Sequence, residues 1–375
     1  MSVSYRSDYT VYGRLLLGDK IIEDGAVSVE GGIIKYSGNA GGAPVIGEVI
    51  YSDGIITPGF VDIHCHGGGG MQAFQNTKHV ADHHLASGTT GMLITFYRDL
   101  GHENTVGYIN NVKEEMAKEG SNILGVHLEG PYLNPIYGSG GVYETPVDPV
   151  KYKEFADSGI IRQWSFAPEV QGTDEFLKYI VTKGIVPAMG HSCASPEDVN
   201  RATDAGAKIV THMFDATDAA IKPTRWGGTI ETTFNCACLL RDELYCEIIC
   251  DRDGIHVRPE MVKLAIKTAG LDRIVGITDS SYGSNPDGTR PPEDDYDVSF
   301  VNGELAGSKL TMDAVARNFK ALGLSIPEVF KVVSENPAKA IRMSDTVGSL
   351  REGRRGDILI IDEDINVKEV IKAIN

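Results

Sequence analysis

The chain has 375 residues, enough for two or three domains of ordinary size or for one large barrel with an appendage. Hydrophobic residues at 42% and charged residues at 23% are typical of a globular protein and exclude a disordered or collagen-like chain. With 35 Lys and Arg against 52 Asp and Glu, the net charge of −17 opposes binding to phosphate backbones or anionic lipid, which removes nucleic acid and membrane surfaces from the expected partners.

The opening MSVSYRSDYTVYGRLLL lacks the basic segment, apolar stretch and cleavage site of a secretory leader, and no apolar run has membrane-spanning length. The six cysteines are scattered without zinc-finger or redox spacing and read as reduced thiols, so a cytoplasmic location is expected. Short strands punctuated by Gly and Asp are predicted at 9–17, 26–30 and 32–38, and residues 1–56 read as a small β module. From Thr57 the pattern changes to short apolar runs alternating with longer polar-faced segments, as in βα units built on a parallel sheet. Eight candidate strands, centred near Val61, Met92, Leu124, Trp164, Val186, Ile209, Glu247 and Val275, predict an α/β fold with a closed (β/α)8 barrel over 57–344. Helical stretches follow at Met312 to Leu322, Ile326 to Ser334 and Pro337 to Met343, and GDILIIDED at 356–364 returns to strand character. Residues 345–375 are therefore expected to join 1–56 in one small β-sandwich domain made by both termini. The Gly-, Pro- and acid-rich segment 279–297 reads as a solvated loop or as a lid over the barrel mouth.

Polar residues that abruptly end apolar runs carry the chemistry. His64 and His66 in GFVDIHCHGGGG are one residue apart, so on a strand their side chains share a face and could grip one metal ion; the alternative is a buried, hydrogen-bonded pair. Glu129 follows the third apolar run, and Gly130-Pro131 forces a turn at once. His191 follows the fifth run and His212 the sixth. Barrel enzymes place catalytic groups at the C-terminal ends of strands, and one carboxylate with two imidazoles and an open position makes a metal site that activates water. Asp279 ends the eighth run, where a carboxylate could take a proton from that water and return it to a leaving group; otherwise it caps a turn.

These residues resemble the amidohydrolase superfamily, and the finer motifs are similar to the N-acetylglucosamine-6-phosphate deacetylase family. The resemblance rests on PGFVDIHCHG at 58–67, HLEGPYLNP at 127–135, GHS at 190–192, THMFDA at 211–216, DGIHVRP at 253–259, TDS at 278–280 and LAGSKLTMD at 305–313. It implies that Glu129, His191 and His212 hold a principal divalent metal, with a second ion possible at His64 and His66, and that Asp279 is the catalytic acid/base. Zn²⁺ and Fe²⁺ both suit such ligands, in one or two ions per chain. It further implies a homodimer and an amino sugar phosphate substrate contacted by His256, Asp215, Ala216, Arg225, Arg258, Gly140, Gly141, Leu305, Ala306 and Gly307.

Three positions depart from the family pattern. A substrate-binding histidine of the family is replaced in Gly138-Ser139-Gly140-Gly141, Asp215 stands where the family has Asn, and Arg258 occupies a place that is often His. The machinery is expected intact and the substrate pocket altered. The expected reaction is deacetylation of an N-acetylated amino sugar phosphate such as N-acetylglucosamine 6-phosphate. The rivals are hydrolysis of another N-acyl or cyclic amide and a noncatalytic ligand-binding relative, which should have lost Asp279 or a ligand.

Overall fold

Each of the eight apolar runs is a barrel strand in the computed structural model, which describes residues 2–97, 100–138, 146–218, 224, 226–227, 229–281, 296–301 and 304–375. The strands are Phe60–Asp62, Thr89–Tyr97, Ile123–Glu129, Ile161–Phe166, Val186–Met189, Ile209–Val210, Tyr245–Ile249 and Ile274–Ile277, here numbered one to eight. They pair side by side in sequence order, every pair parallel. Strands covered on both faces need no polar alternation, which is why most of the runs are largely apolar, although Ile161–Phe166 carries Arg162, Gln163 and Ser165.

A helix follows each strand: Thr77–Ala86, His102–Met116, Pro149–Asp157, Thr173–Thr182, Pro196–Asp204, Phe234–Leu239, Pro259–Ala269 and Met312–Ala321. Their starts are written locally. Pro149, Pro196 and Pro259 sit at first helical positions where no N–H is needed, and Ser195 and Asp198 form a capping box.

The barrel closes just beyond the ends of strands one and eight. Asp279 N donates to His64 O at 2.9 Å, His66 N donates to Ser280 O at 2.8 Å, and Thr278 Oγ1 donates to Asp62 Oδ2 at 2.6 Å. Closure therefore presses the segment carrying His64 and His66 against the one carrying Asp279.

The terminal strands form a second sheet of seven, in the order Ser2–Arg6, Val367–Ala373, Ile358–Ile361, Glu48–Pro58, Tyr9–Leu17, Lys20–Glu30 and Ile33–Asn39. Successive side chains on a strand face opposite ways, and the sheet uses this to bury both faces. Leu16, Ile55, Leu359 and Val370 pack into the barrel core, whereas their neighbours Leu15, Ile56, Ile358 and Ile371 build a separate core with Tyr9 and Val11. The sequence reading missed Ser2–Arg6, Glu48–Pro58 and Val367–Ala373. Their pairing is remote, Ser2 lying opposite Glu369, and no local pattern announces it.

The expected helices at Ile326 to Ser334 and Pro337 to Met343 are Ile326–Phe330 and Asn336–Ala340, with a π-helical turn at Lys331–Glu335 between them. Pro337 lacks the N–H that an α-helix would require there. Among the described residues no helix is long and apolar enough to cross a membrane.

Candidate metal centre

Four site residues share one placement. His64, His191, His212 and Asp279 each lie two residues past the last residue of strands one, five, six and eight, and Glu129 is itself the last residue of strand three. His191, His212 and Asp279 have positive φ of 46°, 27° and 46°. Left-handed backbone costs a non-glycine residue roughly 1–3 kcal/mol, and such strain collects where a side chain must be aimed. The turn that ends each strand aims the side chain into the mouth. His64 and His66 lie in the extended segment beyond strand one rather than in the strand, yet their Nε2 atoms still meet at 3.2 Å.

The five expected metal ligands and Asp279 converge on one point. Glu129 Oε1 is 2.9 Å from Nε2 of both His191 and His212, and those two nitrogens are 3.0 Å apart. Glu129 Oε2 is 3.2 Å from His66 Nε2, so the same carboxylate faces both histidine pairs. Asp279 Oδ1 stands 3.2 Å from His66 Nε2 and 3.4 Å from His64 Nε2. All six residues are nearly or wholly buried. Burial pushes the Glu129 carboxyl up, but the surrounding imidazoles of His64, His191 and His212 hold it well below the usual range. Burial likewise opposes charge on His212, yet the Glu129 carboxylate raises it to about 9. For Asp279, His64 and His66 overcome burial and keep the carboxyl low.

The donor set fits a divalent cation. His191 Nδ1 lies 3.3 Å from Tyr137 O and His212 Nδ1 3.2 Å from Asp215 O, and a carbonyl only accepts. Each Nδ1 then carries a hydrogen, so the two Nε2 atoms, 3.0 Å apart beside the Glu129 carboxylate, are the ring positions left for a metal, and a divalent cation there would take the place of a proton on His212. Two three-residue groups, Glu129 with His191 and His212, and His64 with His66 and Asp279, each bring ligand atoms within 4.8 Å of one another.

A third such group, Asp62, Cys65 and His84, lies behind the His64–His66 segment, with Cys65 Sγ 3.2 Å from His84 Nε2. Burial raises Asp62 to about 6, drives the Cys65 thiol up and lowers His84 to about 4. These groups are hydrogen-bonded packing beneath the site.

Sequence reasoning overlooked the residues that orient the ligands. Glu247, fully buried in strand seven, has Oε2 3.2 Å from His64 Nδ1, accepts from His212 N at 3.2 Å, and accepts from Gln163 Nε2 at 2.6 Å through Oε1. It ties the two histidine groups together. A carboxylate in the apolar run Tyr245–Ile249 was the available signal. Glu169 does a similar job outside, accepting from Asn134 Nδ2, Ser192 Oγ and Cys193 N at 2.8, 2.6 and 2.9 Å, which clamps the turn after Glu129 to the turn bearing His191. Outer carboxylates of this kind typically contribute about 10–100-fold to metal affinity. Glu247→Gln is accordingly expected to weaken metal binding by that factor in a chelator competition; unchanged affinity would mean that Glu247 is only packing.

The substrate residues named from the sequence are partly on view. His256 Nδ1 lies 3.2 Å from Asp215 Oδ2 and its Nε2 3.1 Å from Gly307 O. Burial opposes charge on His256 and Asp215 raises it, while His256 in turn helps hold Asp215 low against its own burial. Gly307 has φ of 71°, and a Cβ there would lie 2.5 Å from Asp279 O, so only glycine lets this strand approach the acid. Leu305 and Ala306 precede it in the strand Glu304–Ser308, and Ala216 has φ of 48° in the turn after His212. Arg258 is exposed at the start of helix Pro259–Ala269. Gly140, Gly141, Arg225 and most of the 279–297 segment fall outside the described residues.

A model of the amidohydrolase family matches residues 55–374. The chain belongs to the amidohydrolase family. Among amidohydrolases it is 29% identical to N-acetylglucosamine-6-phosphate deacetylase of Bacillus subtilis, over 93% of this chain and 91% of that one. It is 26% identical to N-acetylgalactosamine-6-phosphate deacetylase of Escherichia coli O157:H7, over 95% and 96%. A solved structure of a substitution variant of N-acetyl-D-glucosamine-6-phosphate deacetylase from Mycobacterium smegmatis, in complex with N-acetyl-D-glucosamine-6-phosphate, superposes with a TM-score of 0.83 at 26% identity and covers 98% of both chains.

Proposed function

We propose that this amidohydrolase is a metal-dependent deacetylase of N-acetylated amino sugars of the N-acetylglucosamine 6-phosphate type, releasing acetate and the free amine. The observation that carries the reading is the convergence of Glu129, His191 and His212 with Asp279 at one barrel mouth, on a chain similar over nearly its whole length to deacetylases of that name. Nε2 of His191 and His212 and the Glu129 carboxylate would hold the principal ion. A divalent ion there supplies Lewis acidity to the acyl carbonyl and lowers the pKa of water. Asp279, kept ionised by His64 and His66, takes a proton from the attacking water at its carboxylate and delivers it to the nitrogen as the C–N bond breaks. Buried walls around these groups exclude bulk water.

Zn²⁺ and Fe²⁺ both suit two imidazoles and a carboxylate. His64 and His66 would supply the ligands of a second position. Metal analysis under saturating conditions should then approach two ions per chain; a single ion with both imidazoles left on protein or water would reduce the pair to structural hydrogen bonding. The exposed Trp226 and Ile230, about 70% and 95% accessible, support a homodimer with this surface covered. Six cysteines without disulfide partners suit the cytosol.

The function is tested by acetate release from phosphorylated and unphosphorylated N-acetylhexosamines on protein of defined metal content. Turnover of at least one is expected, and inactivity on all of them would leave the chain an amidohydrolase of another amide.

A further inference from the structure

The segment that carries His64 and His66 has left its ladder. Strand one pairs with strand two only as far as Asp62, opposite Met92, and both histidines lie beyond that point. Other bonds hold them, from two sides. On the strand-eight side, His64 O accepts from Asp279 N at 2.9 Å and His66 N donates to Ser280 O at 2.8 Å. On the opposite side one residue grips the Cys65 that stands between them. Thr95, buried in strand two, donates its N–H to Cys65 O at 2.8 Å and accepts from Cys65 N at 2.8 Å through Oγ1. Its hydroxyl stands in for the strand-two carbonyl that a continued ladder would offer. That hydroxyl is itself fixed, because His127 Nδ1 lies 3.2 Å from Oγ1 while His127 Nε2 lies 2.8 Å from Ser165 Oγ. The His127 ring also meets the His64 ring edge to face, with centroids 4.5 Å apart and planes at 87°.

We infer that Thr95 is a positioning residue for the second metal position: by gripping Cys65 through its backbone N–H and its hydroxyl, it fixes the segment on which Nε2 of His64 and His66 meet. The inference rests on the two-ion reading above. The principal position draws on other elements. Glu129, His191 and His212 come from strands three, five and six, and Glu169 clamps the turns beside Glu129 and His191. Loss of the Thr95 hydroxyl takes a buried acceptor from Cys65 N, and the segment must shift to recover one. Two imidazoles aimed less well bind their ion more weakly. Partners that orient metal ligands typically contribute about 10–100-fold to affinity, and a residue acting through the backbone is expected at the lower end of that range.

The test titrates Zn²⁺ into chelator-stripped protein by calorimetry, for the wild type, Thr95→Val and Thr95→Ser. Valine keeps the shape and removes the hydroxyl, whereas serine retains it. The wild type should bind two ions. In Thr95→Val the dissociation constant of the second ion should rise about tenfold while that of the first moves less than about threefold, and Thr95→Ser should stay within about threefold of the wild type for both. A general loss of packing would weaken both ions together, so the ratio of the two constants separates it from positioning. Should the valine variant not fold, Thr95→Ala gives the same contrast with serine. A second ion bound as tightly in folded Thr95→Val as in the wild type, equal weakening of both ions, or a serine variant as weak as valine overturns the inference and leaves the two-ion reading standing. A wild type that binds a single ion overturns both. None of these outcomes depends on acetate release, so the deacetylase reading stands or falls separately.

Discussion

Replacing Asp279 with Asn is expected to leave the principal ion bound and to lower kcat by at least about a hundredfold, since general acid/base groups contribute about 10²–10⁴-fold. The amide has nearly the same shape and should preserve the closure between strands one and eight, which runs through the backbone of Asp279 to His64 O. What it lacks is the proton-accepting oxygen. His64 and His66, 3.4 and 3.2 Å from Oδ1, hold the carboxyl ionised despite its burial, so the wild-type group is ready to accept a proton at neutral pH. Single-turnover kinetics with metal analysis distinguishes this from a folding defect. An Asn variant with wild-type turnover would remove Asp279 from the chemistry.

Changes to Glu129 or His191 should act on the metal instead. Glu129→Gln removes the charge that two Nε2 atoms approach at 2.9 Å, and His191→Ala removes one of three protein ligands in the proposed principal site. Loss of a direct ligand should cost at least as much affinity as the roughly 10–100-fold typical of outer carboxylates, so purified variants should carry much less metal than the wild type. Both variants retaining full metal at wild-type affinity would show that the ligand assignment is wrong.

Much of the site could be read before the structure because its signal is local. A polar residue that cuts off an apolar run is visible in GVHLEG, PAMGHS, IVTHMF and GITDSS, and the fold places each such residue at or just past a strand end. Strand six is only Ile209–Val210, yet the run before His212 still located it. What escaped depends on contacts remote in sequence. Glu247 meets Gln163 and His64, 84 and 183 residues away. Asp215 stood out as a departure from the family pattern, but its partner, 41 residues on, appears only when strands six and seven are side by side. The missed terminal strands belong to the same class, since Ser2–Arg6 is short and gains its place by pairing with Val367–Ala373.

The central claim, amide hydrolysis dependent on a metal held by Glu129, His191 and His212, is tested most directly by reconstitution. Protein stripped with a chelator is titrated with Zn²⁺ or Fe²⁺ while acetate release from N-acetylglucosamine and its 6-phosphate is followed alongside bound metal. Activity should vanish on stripping and return in step with the first ion bound. Acetate release that persists in metal-free protein, or fully loaded protein that releases none from any amino sugar, would contradict the claim.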